Sequence, residues 1–408
     1  MMLRYFSLTI LLLLSLTLCA TSYDLNRPFG FCTRTSRTST DSQYAFNVTG
    51  GGCYQYPLKG TGNSKIVFLT STGRDMKQEI ADAIANYDII IFDGAKGDFI
   101  ISTIITLNNL SNKTLLGINH ARLCTEWYAT PELIAALNAA DVPHLSTQRG
   151  TGDTLSNGHY VGEQAEYKTR QIIIDMTGDL KERYRDAGIF LFYGCRNLII
   201  RNLTFQGPGS IDVGGSDLLS FRNTKNSWVD HCDFSDGMDG NFDITQRSDF
   251  NTVSWCTFSY TERSYMHQNT NLIGYSDSEP EGYLNTTFAF NHWGKNCLQR
   301  MPMGRIGKVH MLNNYFSSTG CSACVNPRIH SEFLIEGNYF DKGVKRYYSQ
   351  HQADAVTWRD NNFIAEAKKQ AIPPSMGAEV SMPYSYSVAD CNDIPQQVAT
   401  HAGATLLW

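Results

Sequence analysis

The chain has 408 residues, with 34 basic and 39 acidic side chains and a formal net charge of −5. That balance excludes a nucleic-acid partner held by bulk positive charge, so an anionic ligand would need a local cationic groove or a bridging cation. Richness in Gly, Asn, Thr, Tyr and Phe, with little Lys and Glu, points to β-strands joined by tight turns.

The first 22 residues read as an export leader. Arg4 is the only charge, Leu8–Leu18 is an apolar core, and the small residues Ala20 and Ser22 precede a cleavage point before Tyr23. The apolar run is short for a bilayer span, and no later segment is long and apolar enough to cross a membrane. Leu18 before Cys19 is bulky where a lipid-attachment signal carries a small residue. The expectation is a secreted or periplasmic protein without a membrane span, with residues 23–408 forming one domain. Ten cysteines follow the leader. The CSAC at Cys321–Cys324 is read as a disulfide or two buried thiols, because no second CxxC accompanies it.

Asp75–Ala85 reads as a short helix suited to capping an open end, and Pro131–Ala140 as another, inside a polar insertion over about 120–171. Beyond it, an apolar alternation ending in an aromatic recurs at Phe205, Phe234, Phe258, Trp293, Phe316, Phe340 and Phe363. Repetition at such intervals means one supersecondary unit stacked many times. A single-stranded right-handed parallel β-helix, all-β with a short N-terminal capping helix and loop insertions, fits best. The terminal aromatics would form an internal stack. Asn202, Asn313 and Asn338 would hold turns through their amides, and Cys232 and Cys256 would be stacked neighbours. A C-terminal extension begins near residue 345.

Two features carry chemistry. Gln299–Arg305, QRMPMGR, brackets a proline with two arginines, a stiff cationic edge. Upstream, Asp217, Asp239 and Asp243 look like part of a divalent-cation site. Together they suit a polyanion held through a metal and handled by guanidinium groups. Asp230 and His231 are adjacent on a strand and so should face opposite ways; the WVDH they belong to is read as structural.

With these motifs in order, the chain resembles the secreted pectate lyases of polysaccharide lyase family 1. VTGGG at Val48–Gly52, NKTLLGIN at Asn112–Asn119, IIRNLTF, WVDHC, FDITQRSDFNTVSW, LIGYSD and QRMPMGRIGKVHMLNNYF carry the resemblance over about residues 45–345. It implies calcium-dependent β-elimination of de-esterified α-1,4-polygalacturonate by a monomer, giving 4,5-unsaturated oligogalacturonides. It also implies Asp217, Asp239 and Asp243 as Ca2+ ligands, Arg300 as the base and Arg305 as a carboxylate clamp. The chain departs from the family in two ways. Gly215 stands where an acid is often found, and RSYMHQNTNLIG lacks the usual substrate-binding lysine, leaving His267, Asn269 or Arg263 to replace it. The alternatives are a pectin lyase acting on methyl-esterified chains, a polygalacturonase-type hydrolase, and a non-catalytic polysaccharide-binding solenoid.

Overall fold

The computed structural model describes residues 25–33, 48–140, 161–211, 213–344, 346–362 and 375–408. The leader and Phe363 lie outside these residues. The described strands form three parallel sheets of ten, seven and eight strands, an all-β parallel β-helix as expected. One coil illustrates the path. Leu219–Arg222 lies in the seven-stranded sheet (sheet C), Trp228–Asp230 in the ten-stranded sheet (sheet A) and Asp233–Ser235 in the eight-stranded sheet (sheet B). Phe242–Thr245 then re-enters sheet C beside Leu219–Arg222. Among the described residues, no helix is long and apolar enough to cross a membrane.

The three corners are not alike. From sheet A to sheet B the chain turns on one left-handed residue, with φ of 57° at Asn202, 47° at His231, 52° at Trp255, 56° at Phe290 and 52° at Asn313. This short turn fixes the register of the coils from Asn202 onward; the corner after Ser111–Ile118 turns on two such residues, Asn119 and His120. The corner from B to C varies in length and carries the longest insertion.

Constant register stacks like on like. Phe205, Phe234, Phe258, Trp293, Phe316 and Phe340 pair in sequence across sheet B. Their successive ring centroids lie 4.8, 5.2, 5.5, 4.8 and 4.6 Å apart, with rings tilted by no more than 15°. Contacts of this kind add about 0.5–1.5 kcal/mol each beyond burial. Trp358, from sheet A, stacks on Phe340 and continues the column.

A second column is made of amides, beside the turn positions of Asn202 and Asn313. Asn314 Oδ1 accepts from the main-chain N–H of Asn291 at 2.9 Å and from its amide at 3.1 Å. The amides of Asn314 and Asn338 donate in turn to Asn338 and Asn361, each at 2.9 Å. Asn338 belongs to this ladder, but Asn202 and Asn313 do not. Those two occupy the left-handed position, where their amides bond the neighbouring coils at the Gly117 and Gly337 carbonyls, 3.0 and 2.8 Å, as expected, and also the C-terminal segment at Leu406 and Ala389. Cys232 and Cys256 head the ladder column as buried neighbouring thiols.

The capping helix spans Lys77–Asn86 and turns Ile80, Ala83 and Ile84 into the core. The second expected helix is Pro131–Ala139, with Thr130 Oγ1 accepting from the Leu133 N–H. Unlike the reading of the insertion as polar loop, Val161–Thr177 is a 17-residue helix. The termini run over the outside of sheet A. Phe31 and Cys32 donate main-chain N–H groups to Thr287 and Thr252. Tyr384 bridges Thr287 and His310, and the helix Ile394–His401 packs in a cluster with Trp255, Phe290 and Leu312.

Two predictions follow from the columns. Asn314→Ala strands the groups on either side of it and is expected to cost about 2–4 kcal/mol by urea unfolding. His292, stacked on Tyr315 at 4.7 Å, is pulled down to about 4 by burial, against the opposing pull of Asp341. Between pH 4 and 6.5 the unfolded chain therefore binds more protons at this site than the folded one, so stability falls on acidification through that window. His292→Gln should flatten the acid limb of the stability curve by up to about 3 kcal/mol.

Candidate active site

The outer face of sheet C and the B-to-C loops that feed it hold the residues singled out in the sequence. Asp217, Asp239, His267, Asn269 and Arg300 lie just ahead of sheet C strands, Asp243 lies on one, and Arg305 directly follows Met303–Gly304.

Leu219 pairs with Phe242, so Asp217 stands level with Gly240, two residues earlier on each strand. Gly240 has no side chain, and two carboxylates occupy the space above it. A Cβ there would lie 2.8 Å from Asp217 Oδ1 and 3.1 Å from Asp243 Oδ1. The two oxygens are thus closer to each other than the sum of those distances. Both residues are buried. Asp217 Oδ2 accepts from Ser220 Oγ at 2.6 Å, but its Oδ1 is buried with no hydrogen-bond partner. Asp243 Oδ1 accepts from the Leu272 N–H at 2.9 Å. Burial, and then the charge of Asp239, push the Asp217 carboxyl up to about 7, against the hydrogen bond from Ser220 and the charges of Arg222 and Arg300. Burial, and then the charge of Asp217, raise Asp243 well above the ordinary range, with Arg300 opposing. A pair of buried acids in this state is short of positive charge.

Asp239 is brought near but turned aside. Its Oδ1 lies 2.9 Å from His267 Nε2, and that nitrogen is 2.8 Å from Asn269 Nδ2. Among the described residues no three His, Cys, Asp or Glu side chains converge as a ready metal cluster. The expected trio is therefore gathered as a close pair, Asp217 and Asp243, with Asp239 beside it. His267 is tied to Asp239, and Asn269 to His267.

Arg300 has φ of +59° and precedes the cis Met301–Pro302 bond. Its main-chain carbonyl accepts from Asn271 N at 2.7 Å, fixing it to the neighbouring coil. Its guanidinium is close enough to favour the ionised form of both Asp217 and Asp243, yet makes no hydrogen bond among the described residues. Arg305 donates from Nε to Asp277 Oδ1 at 2.7 Å and from Nη1 to the Gly274 carbonyl at 2.9 Å.

Other features were not legible in the sequence. The insertion helices form an apolar cluster with Ile211, Val213, Met238 and Tyr265, so they brace the loops that carry Asp217, Asp239 and His267. Arg222, exposed on sheet C, is a third guanidinium beside the acids, and alternation along SDLLSFR was its only signal. Asp230 and His231 do meet, contrary to the strand-alternation argument. The left-handed φ of His231 swings its ring back, placing Nδ1 2.6 Å from Asp230 Oδ2. Arg201 Nε and Ser254 Oγ also bond this carboxylate, at 2.7 and 2.6 Å, and all of these residues are buried, so WVDH is structural as read. Cys321 and Cys324 are free buried thiols, their sulfurs 3.6 Å apart.

Comparison with known proteins agrees with this architecture. The family model for pectate lyase matches residues 132–406. Probable pectate lyase A of Aspergillus fumigatus is 34% identical over 222 residues, covering 52% of this chain and 63% of its own length. Pectate lyase A of Emericella nidulans is 34% identical over 224 residues, with the same coverage. The chain thus spans 63% of the length of these curated relatives. Among solved structures, the major allergen of cedar pollen superposes with a TM-score of 0.55 at 18% identity, over 85% of this chain and 90% of its own. A pectate lyase from Bacillus sp. N165, in complex with trigalacturonate, gives 0.53 at 18%, over 92% and 98%. At such identities these two show likeness of fold. The family model, which covers more than half of the sequence, shows that the chain belongs to the pectate lyase family.

Proposed function

We propose that this protein is a secreted lyase that cleaves de-esterified α-1,4-polygalacturonate by calcium-dependent β-elimination. The observation that carries the reading is the pair of buried carboxylates over Gly240, one oxygen of it unpartnered, beside an unpartnered guanidinium. The donor set suits calcium, which takes six to eight oxygens and accepts carboxylates, water and substrate together. Asp217 and Asp243 would hold the ion, with Asp239 joining once released by His267. When bound, the ion would neutralise the uronate carboxylate and so make the adjacent C5 proton easier to remove. A methyl-esterified chain carries little charge and would make little use of the two acids.

In this reaction the C5–H bond gives up its proton, a C4–C5 double bond forms and the C4–O bond breaks. The electron pair leaves on the glycosidic oxygen, and no water is consumed. Arg300 takes the C5 proton in our reading. A base must be neutral when it acts, and a guanidinium gives up its proton reluctantly, so the rate should climb into the alkaline range. Arg305 would exchange Asp277, 61% exposed, for a second uronate carboxylate. A surface ion pair of this kind is worth only about 0–1 kcal/mol, so the exchange is cheap, and a guanidinium fork suits the new partner.

Ultraviolet absorbance of the unsaturated product tests this directly. Arg300→Ala should lower its rate of appearance from polygalacturonate at least about a hundredfold while leaving the circular dichroism unchanged. Chelation should abolish the signal and calcium restore it, whereas cleavage that persists in chelator would indicate hydrolysis instead. Asp243→Asn should raise stability in chelator by about 1–2 kcal/mol at pH 8, by removing one of two like charges, and lose the stabilisation that calcium gives the parent. A parent that gains nothing from calcium would overturn the cation reading.

A further inference from the structure

The geometry points to Arg222 as a carboxylate anchor at the far end of the substrate groove, setting the minimum length of oligogalacturonate that binds well. This deepens the reading above and rests on it. Arg222 is exposed and, among the described residues, its guanidinium makes no hydrogen bond or ion pair.

Its place in the sheet gives it a use. Tyr193 pairs with Arg222, and Arg222 with Thr245. Ile244 pairs with Ile273 and Ile273 with Gly304, so Thr245 is level with Gly274 and Gly274 with Arg305. Tyr193, Arg222, Thr245, Gly274 and Arg305 thus form one column across sheet C, on the face that carries Asp243. Arg222 and Arg305 stand three strand spacings apart, about 14 Å. Between them lie the short Thr245 and Gly274, whose carbonyl Arg305 Nη1 meets at 2.9 Å, so no bulky side chain of the column separates the two guanidinium groups. Arg222 is also close enough to Asp217 to favour its ionised form, so it faces the side where the two acids sit.

A polyuronate carries one carboxylate per ring, and each ring advances the chain by roughly one strand spacing. Laid along this column, it brings a carboxylate near every coil. Arg305 and Arg222 then meet sugars three positions apart, each through a bidentate fork. Tyr193, 43% exposed and one coil further on, offers an aromatic face to the next ring. The role suits this chain in particular, since His267, the sequence's stand-in for the absent lysine, is occupied by Asp239. A trisaccharide cannot span both arginines, whereas four or more sugars can.

The test is isothermal titration of tri- and pentagalacturonate, with calcium, into Arg300→Ala protein, so that bound sugar is not consumed. Adding Arg222→Ala should weaken pentasaccharide binding about tenfold and trisaccharide binding less than about twofold. Arg222→Lys should recover part of the loss, since it keeps the charge without the fork. Equal losses on both sugars would mean that Arg222 acts only through Asp217, and no loss on either would mean that it does not touch substrate; each overturns the anchor. If neither sugar binds the protein even with Arg222 intact, the galacturonate reading falls, and the anchor with it.

Discussion

The regular spacing of parallel strands is the constraint on which this molecule depends. From Asn202 onward each coil turns from sheet A to sheet B on one left-handed residue, so successive coils are held in register. Residues at the same position then lie one strand spacing apart, about 4.8 Å. Rings at that spacing stack face to face, and amides pass hydrogen bonds from coil to coil. The candidate site uses the same register. Asp217 and Asp243 come together because two adjacent coils are level and Gly240 leaves room between them.

Two groups of buried acids show how differently one fold treats charge. Asp230 is bonded by Arg201, His231 and Ser254. Burial alone would raise its carboxyl, but His231 and Arg201 outweigh that and hold it below the ordinary range. Removing a partner from such a network is costly because a buried charge would be left alone. Asp217 and Asp243 have no charged partner in contact, only Ser220 and the Leu272 N–H. One oxygen is unbonded, Asp239 raises the proton affinity of Asp217 and Asp217 that of Asp243, and the guanidinium groups nearby do not touch them. The first group is complete within the protein; the second leaves one buried oxygen without a partner.

The solenoid was legible in the sequence because its aromatics recur once per coil, and that recurrence survives loops of unequal length. Asn202, Asn313 and Asn338 do bond neighbouring coils as expected, but the ladder through Asn291, Asn314 and Asn361 was not singled out, because Asn suits both a ladder and a left-handed turn and Asn313 and Asn314 sit side by side. The helix Val161–Thr177 escaped notice because its buried Ile173 joins a cluster formed with loops rather than with a coil. Within the site, Arg300, Arg305 and the aspartates stood out through their motifs. The link between Asp239 and His267 and the exposure of Arg222 did not, since both depend on which strands are level and which loops approach. His231 shows the limit of alternation: one left-handed residue was enough to bring neighbouring side chains together.

The unequal corners also bear on how such a protein can change over time. In the coils from Asn202 to Asn313 the A-to-B corner is a single left-handed residue, so an insertion there would break the stacks on either side of it. The B-to-C corner already accommodates loops of different lengths, and two helices, without disturbing the stacks. Inheritance can therefore rework the walls beside sheet C one loop at a time without disturbing the stacked column beneath, at little expense to the scaffold.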